Sequence, residues 1–302
     1  MGPSKLGLNE LVVGLFSNDT ESVPRTIIWD VRAPRVGVSF IAGASLGLAG
    51  VLIQLSTRSP LGDPNLFGIG GGAAMFMAAV VAGLIATPHP LVSFVCCLGS
   101  ATAMALLLSR CVSSKGLTPI KLAVMGIATG AMAAAVTTSI VVYGRVFPTQ
   151  IIGLVSGSFT ASNWEMFWYA SITLALCLLV SIKIHEKFYP IILGDILAKS
   201  LGVNPPRIRT LVMIIVGTLA GSSVYIGGLI GFIGLLSPHV ARRLFGNNGI
   251  HLIFGSSLCG ALLLLASDQI SRLLFSPSEI PVGMVTVMLG APMMIYLGWK
   301  MK

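Results

Sequence analysis

Long stretches of this chain contain no aspartate, glutamate, lysine or arginine. A helix that crosses the roughly 30 Å hydrocarbon core of a bilayer needs about 20 mainly apolar residues, because each residue rises about 1.5 Å. Two of the uncharged stretches, residues 64–109 and 210–241, are well over that length. Pro88 and Pro90 divide one and Gly227-Gly228 divides the other, since such residues interrupt helices. Nine segments result, at about 36–57, 64–86, 90–110, 120–144, 164–184, 208–226, 228–244, 251–274 and 281–299.

The composition of the chain agrees with a lipid environment. Hydrophobic residues make up 55% of the 302 residues and charged residues only 10%, whereas soluble domains carry roughly 25% charged residues. The runs are apolar on all sides instead of alternating between polar and apolar, so they predict helices rather than strands. We therefore expect an all-α polytopic membrane protein of about nine transmembrane helices. Residues 36–302 would form one transmembrane domain behind an N-terminal segment, residues 1–35.

The basic residues predict the orientation. Thirteen of the nineteen lysines and arginines fall in loops on one side of the nine segments, and that side is predicted to be cytoplasmic by the positive-inside rule. The opposite loops hold only Arg145 and Arg272. This distribution accounts for the net charge of +9 without a nucleic-acid partner. It also makes residues 1–35 extracytoplasmic, although no earlier helix in this sequence carries them across.

Several ordered motifs connect the chain to a known family. They are Arg32-Ala-Pro-Arg35, Gly43-Ala44 and Gln54, Ser59-Pro-Leu-Gly-Asp-Pro64, Gly153-Leu-Val-Ser-Gly-Ser158 with Trp164, Gly194-Asp-Ile-Leu-Ala-Lys-Ser-Leu-Gly-Val203, Gly231 to Arg242, and Pro281 to Pro292. Over about residues 25–299 the chain resembles the FecCD-type permease subunits of bacterial ABC importers for ferric siderophores, haem and vitamin B12. The resemblance implies a permease domain of ten helices, of which this chain would lack the first.

The resemblance also implies partners and a location. No G-x-x-x-x-G-K-[ST] loop occurs, so ATP and Mg²⁺ would be bound by a separate ATPase and this chain would hold no cofactor. The implied complex contains a second permease subunit, identical or different, two ATPase subunits and an extracytoplasmic binding protein. It would lie in the bacterial cytoplasmic (inner) membrane, surrounded by lipid. A ferric siderophore is the first candidate cargo, with haem and cobalamin left open.

The longest cytoplasmic loop, about 185–207, is the predicted contact with the ATPase. Leu193, Ile196, Leu197 and Leu201 recur at helical spacing in a stretch too short to span a membrane. Such a helix fits a groove in a partner, or it packs on its own bundle. Arg242 and Arg243 at the same membrane face are predicted either to join this contact or to anchor in lipid headgroups. The full set of candidate coupling residues is Gly194, Asp195, Leu197, Lys199, Leu201, Gly202, Arg242 and Arg243.

The outer face carries the candidates for docking the binding protein. By resemblance, Arg32, Arg35 and Arg272 would pair with carboxylates of that protein. Arg32 and Arg35 stand three residues apart and share a helical side. Arg272 follows Asp268 by four residues, so an ion pair within the helix is the equally weighted alternative.

The fourth predicted segment carries small residues along one edge, which is typical of close helix packing. By resemblance this helix would border the translocation pathway, with Gly126, Gly130, Thr137 and Thr138 as candidate pathway residues. The glycine cluster of residues 68–72 matches the dinucleotide fingerprint in form only, because no strand precedes it, and it too predicts close packing.

Two other classes of protein are weighed against the importer. An ion-coupled secondary transporter would place carboxylates or broken helices near the midplane, and only Asp268 is a candidate carboxylate. An intramembrane enzyme needs a catalytic constellation that the sequence does not contain. We assign no catalytic residue and no metal site, since His239 stands without a second ligand at metal-binding spacing.

Overall fold

The computed structural model describes residues 23–113, 119–145, 148–274 and 279–300. These residues form helices and connecting turns, without a strand in the described ranges. A helical turn at Val23–Thr26 and a π-helical segment at Ile27–Arg32 lead into the first long helix. The helices are α1 (Ala33–Thr57), α2 (Ile69–Val81), α3 (Pro90–Ser113), α4 (Pro119–Tyr143), α5 (Pro148–Ser156), α6 (Trp164–Ile184), α7 (Phe188–Leu193), α8 (Asp195–Ser200), α9 (Pro205–Gly227), α10 (Ile233–Phe245), α11 (Gly249–Leu273) and α12 (Val282–Lys300). Most of the predicted N-terminal segment, residues 1–22, lies outside the described ranges.

Each of the nine predicted segments contains a helix, but their lengths differ. Among the described residues, six helical stretches are long and apolar enough to cross a membrane. They are Ile27–Thr57, Pro90–Arg110, Val124–Tyr143, Trp164–Leu193, Pro205–Gly227 and Gly249–Leu273. The apolar stretch of α12 and the whole of α2 are shorter. The prediction of an all-helical membrane protein is therefore confirmed, whereas the count of nine spans stays a prediction.

Two of the predicted spans begin later than the sequence suggested. The spans 64–86 and 228–244 contain α2 and α10, each of 13 residues, or about 20 Å of helix. Pro64 does not start a helix, because residues 64–68 form turns and α2 follows Gly68, whose φ is +70°. Residues 228–231 are likewise non-helical. Gly227-Gly228 predicted the start of the second break but not its extension to Phe232, and the apolar pattern did not indicate the break at residues 64–68.

Asparagine side chains mark the start of two long helices. Asn163 accepts a hydrogen bond from the backbone N–H of Met166 at 2.8 Å, and Asn204 accepts one from Arg207 at 3.4 Å. Both are N-caps that satisfy backbone donors left free at a helix start. Pro205 occupies the first position of α9, where its missing N–H costs nothing.

The centre of the bundle is the antiparallel pair α1 and α11. Their backbones touch at glycines: a Cβ placed on Gly43 would lie 2.3 Å from the Gly260 carbonyl oxygen, and one on Gly47 would lie 2.2 Å from that of Ser256. In lipid, close backbone approach at small residues replaces the hydrophobic effect as the source of association. The glycine cluster of residues 68–72, at the start of α2, also packs closely, as predicted. Gly71 packs against Ala133 and Gly72 against the Ser100 carbonyl oxygen.

Burial separates the inner helices from the outer ones. Most side chains of α1 and α9 are buried, whereas α4, α6 and α12 expose many large apolar side chains. Examples are Val142, Trp168, Leu176, Met288 and Ile295. These outer surfaces are available to lipid or to a protein partner.

Candidate functional site

The segment α7–α8, which is predicted to lie on the cytoplasmic side, presents an apolar face to its surroundings. Ile196 is 87% exposed, Leu201 62%, and Leu193 and Leu197 each 52%. The opposite side is anchored in the bundle through buried Phe188, Ile191 and Ala198. The alternative that the predicted leucine face packs on its own bundle is therefore wrong. We call the exposed face formed by Leu193, Ile196, Leu197 and Leu201 the coupling face.

The other candidate coupling residues of this segment, Gly194, Asp195, Lys199 and Gly202, do not contribute to the coupling face. Gly194 has φ +135°, which lets the chain turn between α7 and α8, and Gly202 has φ +78° at the end of α8. Lys199 is exposed. Asp195 turns to the bundle, where it forms ion pairs with Arg209 and Arg58. Hydrogen bonds from Arg209 are the main reason that the pKa of the Asp195 carboxyl lies below its usual value.

Arg242 and Arg243 differ in burial and in their partners. The Arg242 Nη1 donates to the Gln54 side-chain oxygen at 2.8 Å, and Arg242 is half-buried, so it binds α1 within the chain. Arg243 is exposed at the cytoplasmic end of α10. Of the two, Arg243 is the one whose exposure suits a partner or headgroup.

A polar network around Gln54 and Asp63 was not predicted as a site. The Gln54 Nε2 donates to the Gly62 carbonyl at 3.2 Å, while Asp63 Oδ1 accepts from the N–H groups of Asn65 and Leu66. Asp63 Oδ2 faces the first turn of α10, 2.9 Å from where a Cβ on Gly234 would stand. Asp63 and Gln54 thus join the break before α2 to the start of α10. The available signal was that a glutamine inside an apolar run needs a buried partner.

The two helix breaks meet each other. The Asn65 Nδ2 donates to the Ile230 carbonyl at 2.6 Å. Residues 227–229 also exchange backbone hydrogen bonds with the end of α5 and the residues after it: Ser158 N–H donates to Gly227 and Leu229 N–H donates to Leu154. These bonds satisfy backbone groups that would otherwise be unpaired within a membrane.

The outer end of α1 carries a buried ionic cluster. The Arg35 Nη2 lies 2.9 Å from Asp268 Oδ1, and its Nη1 lies 2.9 Å from Glu279 Oε2. The Arg272 Nη2 lies 3.3 Å from Asp268 Oδ2, which confirms the predicted ion pair within α11. Asp268 is fully buried, and Arg35 and Arg272 are nearly so. We call these four residues the outer ionic cluster.

The outer ionic cluster limits the docking prediction. Arg35 and Arg272 are bound to carboxylates of their own chain, so a docking protein would have to compete with Asp268 and Glu279. Arg32 is half-buried at the end of the π-helical segment. That segment is held to α6, because the Trp164 indole N–H donates to the Trp29 carbonyl at 2.9 Å. Docking stays a prediction for all three arginines, Arg32, Arg35 and Arg272.

The four candidate pathway residues on α4 point in two directions. Gly126 and Gly130 pack against Phe67 and Gly68 of the break before α2, which is the packing role weighed for them. Thr137 is buried, whereas Thr138 is exposed with its hydroxyl donating to the Ala134 carbonyl at 2.8 Å. An open cavity of about 610 Å³ lies along the exposed side of α4. Its lining residues are Ala135, Thr138, Ser139, Val142 and Tyr143.

The described residues contain no group of three or more histidine, cysteine or acidic side chains placed to hold a metal ion. The described cysteines, which are Cys96, Cys97, Cys177 and Cys259, are free thiols. The charged side chains that the fold brings together are instead paired with one another.

Membrane-length helices with two interior breaks, charges paired inside the bundle and an exposed apolar face on α7–α8 are typical of a polytopic membrane protein. The profile of the FecCD transport family matches residues 1–300. The chain belongs to the FecCD transport family. It is a transport permease and not an enzyme, and it crosses the membrane several times.

Individual relatives agree with this assignment. The chain is 34% identical to the Fe(3+)-citrate import system permease protein YfmD of Bacillus subtilis (strain 168), over 98% of this chain and 91% of that protein. It is 30% identical to the vitamin B12 import system permease protein BtuC of Vibrio cholerae, over 91% and 83%. A solved structure of an inward-facing, metal-chelate type ABC transporter aligns with a TM-score of 0.80 at 27% identity, covering 97% of this chain and 96% of that one.

Proposed function

We propose that this chain is the membrane-spanning permease subunit of an ATP-driven importer that carries a ferric siderophore across the bacterial cytoplasmic membrane, with nine of its helices spanning. The observation that carries the proposal is the exposed coupling face on α7–α8, which offers leucine and isoleucine side chains to a partner on the cytoplasmic side. The family assignment removes the ion-coupled transporter as the leading alternative. Broken helices alone do not indicate ion coupling, because the breaks here are satisfied by backbone and asparagine hydrogen bonds.

The cargo is proposed from the relatives. Their names include iron chelates and vitamin B12, so a large chelate is the shared chemistry. The cavity along α4 is lined by small, weakly polar and apolar side chains, which suits a chelate that passes through without being held tightly. Uptake of labelled ferric siderophore, haem and cobalamin by cells that express the complete importer separates the three. Transport of cobalamin or haem alone would contradict the siderophore assignment.

The partners follow from the exposed surfaces. A second permease subunit, identical or different, would cover the apolar side chains of α4 and α12 and close the cavity along α4 into a pathway. Two ATPase subunits would bind ATP and Mg²⁺ and receive the two coupling faces. A binding protein would deliver the chelate at the outer face, with Arg32, Arg35 and Arg272 as the candidate docking cations.

Placing carboxylates on the coupling face is expected to prevent ATPase binding. In the double variant Leu197→Asp/Leu201→Asp, two exposed apolar side chains become charged at a surface that must lose water on docking. We expect the ATPase to co-purify with the wild-type chain and to be lost from the variant. The measurement is co-purification from membranes of cells that express the complete importer.

The matched control is Leu197→Met/Leu201→Met, which keeps the face apolar at nearly constant volume. Both variants should reach the membrane fraction in the same amount, because neither side chain is part of the core. ATPase binding that persists in the aspartate variant would disprove the assignment of α7–α8 as the contact.

Cysteine labelling tests the pathway. In a chain whose five native cysteines are replaced, Thr138→Cys and Ser139→Cys should react with a charged, membrane-impermeant thiol reagent, because both side chains face the cavity along α4. Thr137→Cys, one residue away, should stay unreactive because Thr137 is 4% exposed. If the reagent fails at position 138 while a lipid-soluble maleimide reacts there, this side of α4 faces lipid and the pathway lies elsewhere.

A further inference from the structure

Asp195 stands where the coupling segment meets the bundle. It is the first residue of α8 and follows Gly194, at the turn between α7 and α8. Its neighbours in sequence, Ile196 and Leu197, belong to the coupling face and point outward. The Asp195 carboxylate points the other way, toward the inner ends of two membrane helices. One short helix therefore carries a face for a partner and a charged group for the bundle.

Two arginines from different helices converge on this carboxylate. Arg209 of α9 binds it through both terminal nitrogens, Nη1 to Oδ2 and Nη2 to Oδ1, each at 2.9 Å. Arg58, the residue that ends α1, donates to Oδ1 as well. Arg209 also donates from Nε to the carbonyl of Ser56 at 3.2 Å, so it binds the last turn of α1 at the same time. Asp195, Arg58 and Arg209 thus link α8, α1 and α9.

An ordinary surface salt bridge contributes little because solvent screens it and mobile side chains must be ordered. Two features distinguish this link from that case. Arg209 binds in the two-pronged geometry that makes arginine–carboxylate pairs strong, and its side chain is only 13% exposed. Arg58 has φ +54°, a left-handed conformation that non-glycine residues rarely adopt, and its side chain forms an ion pair with Asp195.

We propose that Asp195 is a latch that fastens the coupling segment to the inner ends of α1 and α9, so that a displacement of α8 by the ATPase moves these two helices with it. The inference rests on the proposed importer function and assigns Asp195 a role other than contact with the ATPase. Asp195 is a positioning residue in this scheme. The ATPase contacts the coupling face, and the ion pairs of Asp195 transmit the displacement of α8 to α1 and α9.

The helix that the latch holds reaches the outer surface. α1 has 25 residues, or about 37 Å of helix, and most of its length is buried against α9, α10 and α11. At its outer end Arg35 binds Asp268 of α11 and Glu279, three residues before α12 begins. A movement of the inner end of α1 is thereby connected to α11 and to the start of α12 on the outer side.

The test replaces Asp195 by asparagine, which keeps the size of the side chain and removes its charge. Asp195→Glu retains the charge, and Glu186→Gln neutralises an exposed carboxylate that forms no ion pair within the described ranges. Three measurements are made on each variant. Amide hydrogen exchange of α8 is followed in the purified permease, and chelate uptake and ATPase co-purification are followed with the complete importer.

For Asp195→Asn we expect faster exchange in α8, unchanged co-purification of the ATPase, and a loss of uptake within the roughly 5- to 150-fold range of coupling effects between sites. Glu186→Gln should match the wild type, and Asp195→Glu should recover part of the uptake. Normal uptake with faster exchange would overturn the latch, and loss of ATPase binding would make Asp195 a contact residue instead. If the wild type binds no ATPase, the proposed function fails, while unchanged exchange in the purified variant would reject the latch by itself.

Discussion

Replacing Gly50 by alanine is expected to destabilise the bundle by about 3 kcal/mol or more, the upper end of the cost of overpacking a core. A Cβ on Gly50 would lie 1.9 Å from the Gly234 carbonyl oxygen, and 2.5 Å and 2.6 Å from the carbonyl carbon and Cα of the same residue. All three are backbone atoms, which cannot move aside as the end of a side chain can. Relief would require α1 and the start of α10 to separate.

The measurement of this loss can use the protein's own thiols. Cys97, Cys177 and Cys259 are buried, so a dye that becomes fluorescent on reaction with thiols reports unfolding of the detergent-solubilised protein on heating. We expect the Gly50→Ala melting temperature to fall well below that of the wild type.

Gly99→Ala is the matched control, because Gly99 is also a helical glycine and a Cβ there would meet no atom within 4 Å. Alanine favours a helix over glycine by about 1 kcal/mol, so this variant should melt at or above the wild-type temperature. Equal melting temperatures for the two variants would refute the backbone contact between α1 and α10.

Replacing Asp268 by asparagine is expected to cost about 3–5 kcal/mol, the loss seen when one partner of a buried ion pair is removed. Asp268 is fully buried and accepts hydrogen bonds from Arg35, while its other oxygen pairs with Arg272. Asparagine can still accept a hydrogen bond but cannot compensate the charge of two buried guanidinium groups. The expected result is a large drop in melting temperature together with reduced amounts of folded protein in the membrane.

The outer ionic cluster offers its own graded control. Glu279 also binds Arg35, but its side chain is 28% exposed and water can replace part of its interaction. We therefore expect Glu279→Gln to cost less than about 1 kcal/mol. If Asp268→Asn melts together with Glu279→Gln, the buried carboxylate does not hold the cluster.

The sequence predicted the parts of the fold that depend on local composition. Long apolar runs located the helices, because the lipid requires apolar side chains along a whole span. The break at residues 64–68 was missed, and so was the extension of the break at Gly227-Gly228 as far as Phe232, since both regions involve Asn65 meeting Ile230, a contact between residues far apart in the chain. The same limit applies to Arg35, whose partners Asp268 and Glu279 lie 233 and 244 positions away.

For the candidate sites too, features that depend on local spacing were predicted, and contacts between distant residues were not. The coupling face was predicted from helical spacing, and its exposure agrees with that prediction. Asp195 was assigned to the coupling set without its partners, because the sequence does not indicate that Arg58 and Arg209 reach it. On α4, the resemblance placed both Thr137 and Thr138 on the pathway, but of these two side chains only Thr138 is exposed. Neighbouring positions on a helix point in different directions, so motif resemblance identifies a helix more reliably than it identifies a side.

The glycine contacts between α1 and α11 have a consequence for how the subunit changes shape. Two helices whose main chains touch at Gly43, Gly47 and Gly260 have no side chains at these three positions that could absorb sliding or rotation. We expect α1 and α11 to move together as one rigid body. Opening and closing therefore falls to helices with a larger free surface, above all α4, which touches the rest of the chain mainly through α2. A displacement of the inner end of α1 therefore carries the whole α1–α11 pair, and the change of shape occurs at its contacts with the helices around it.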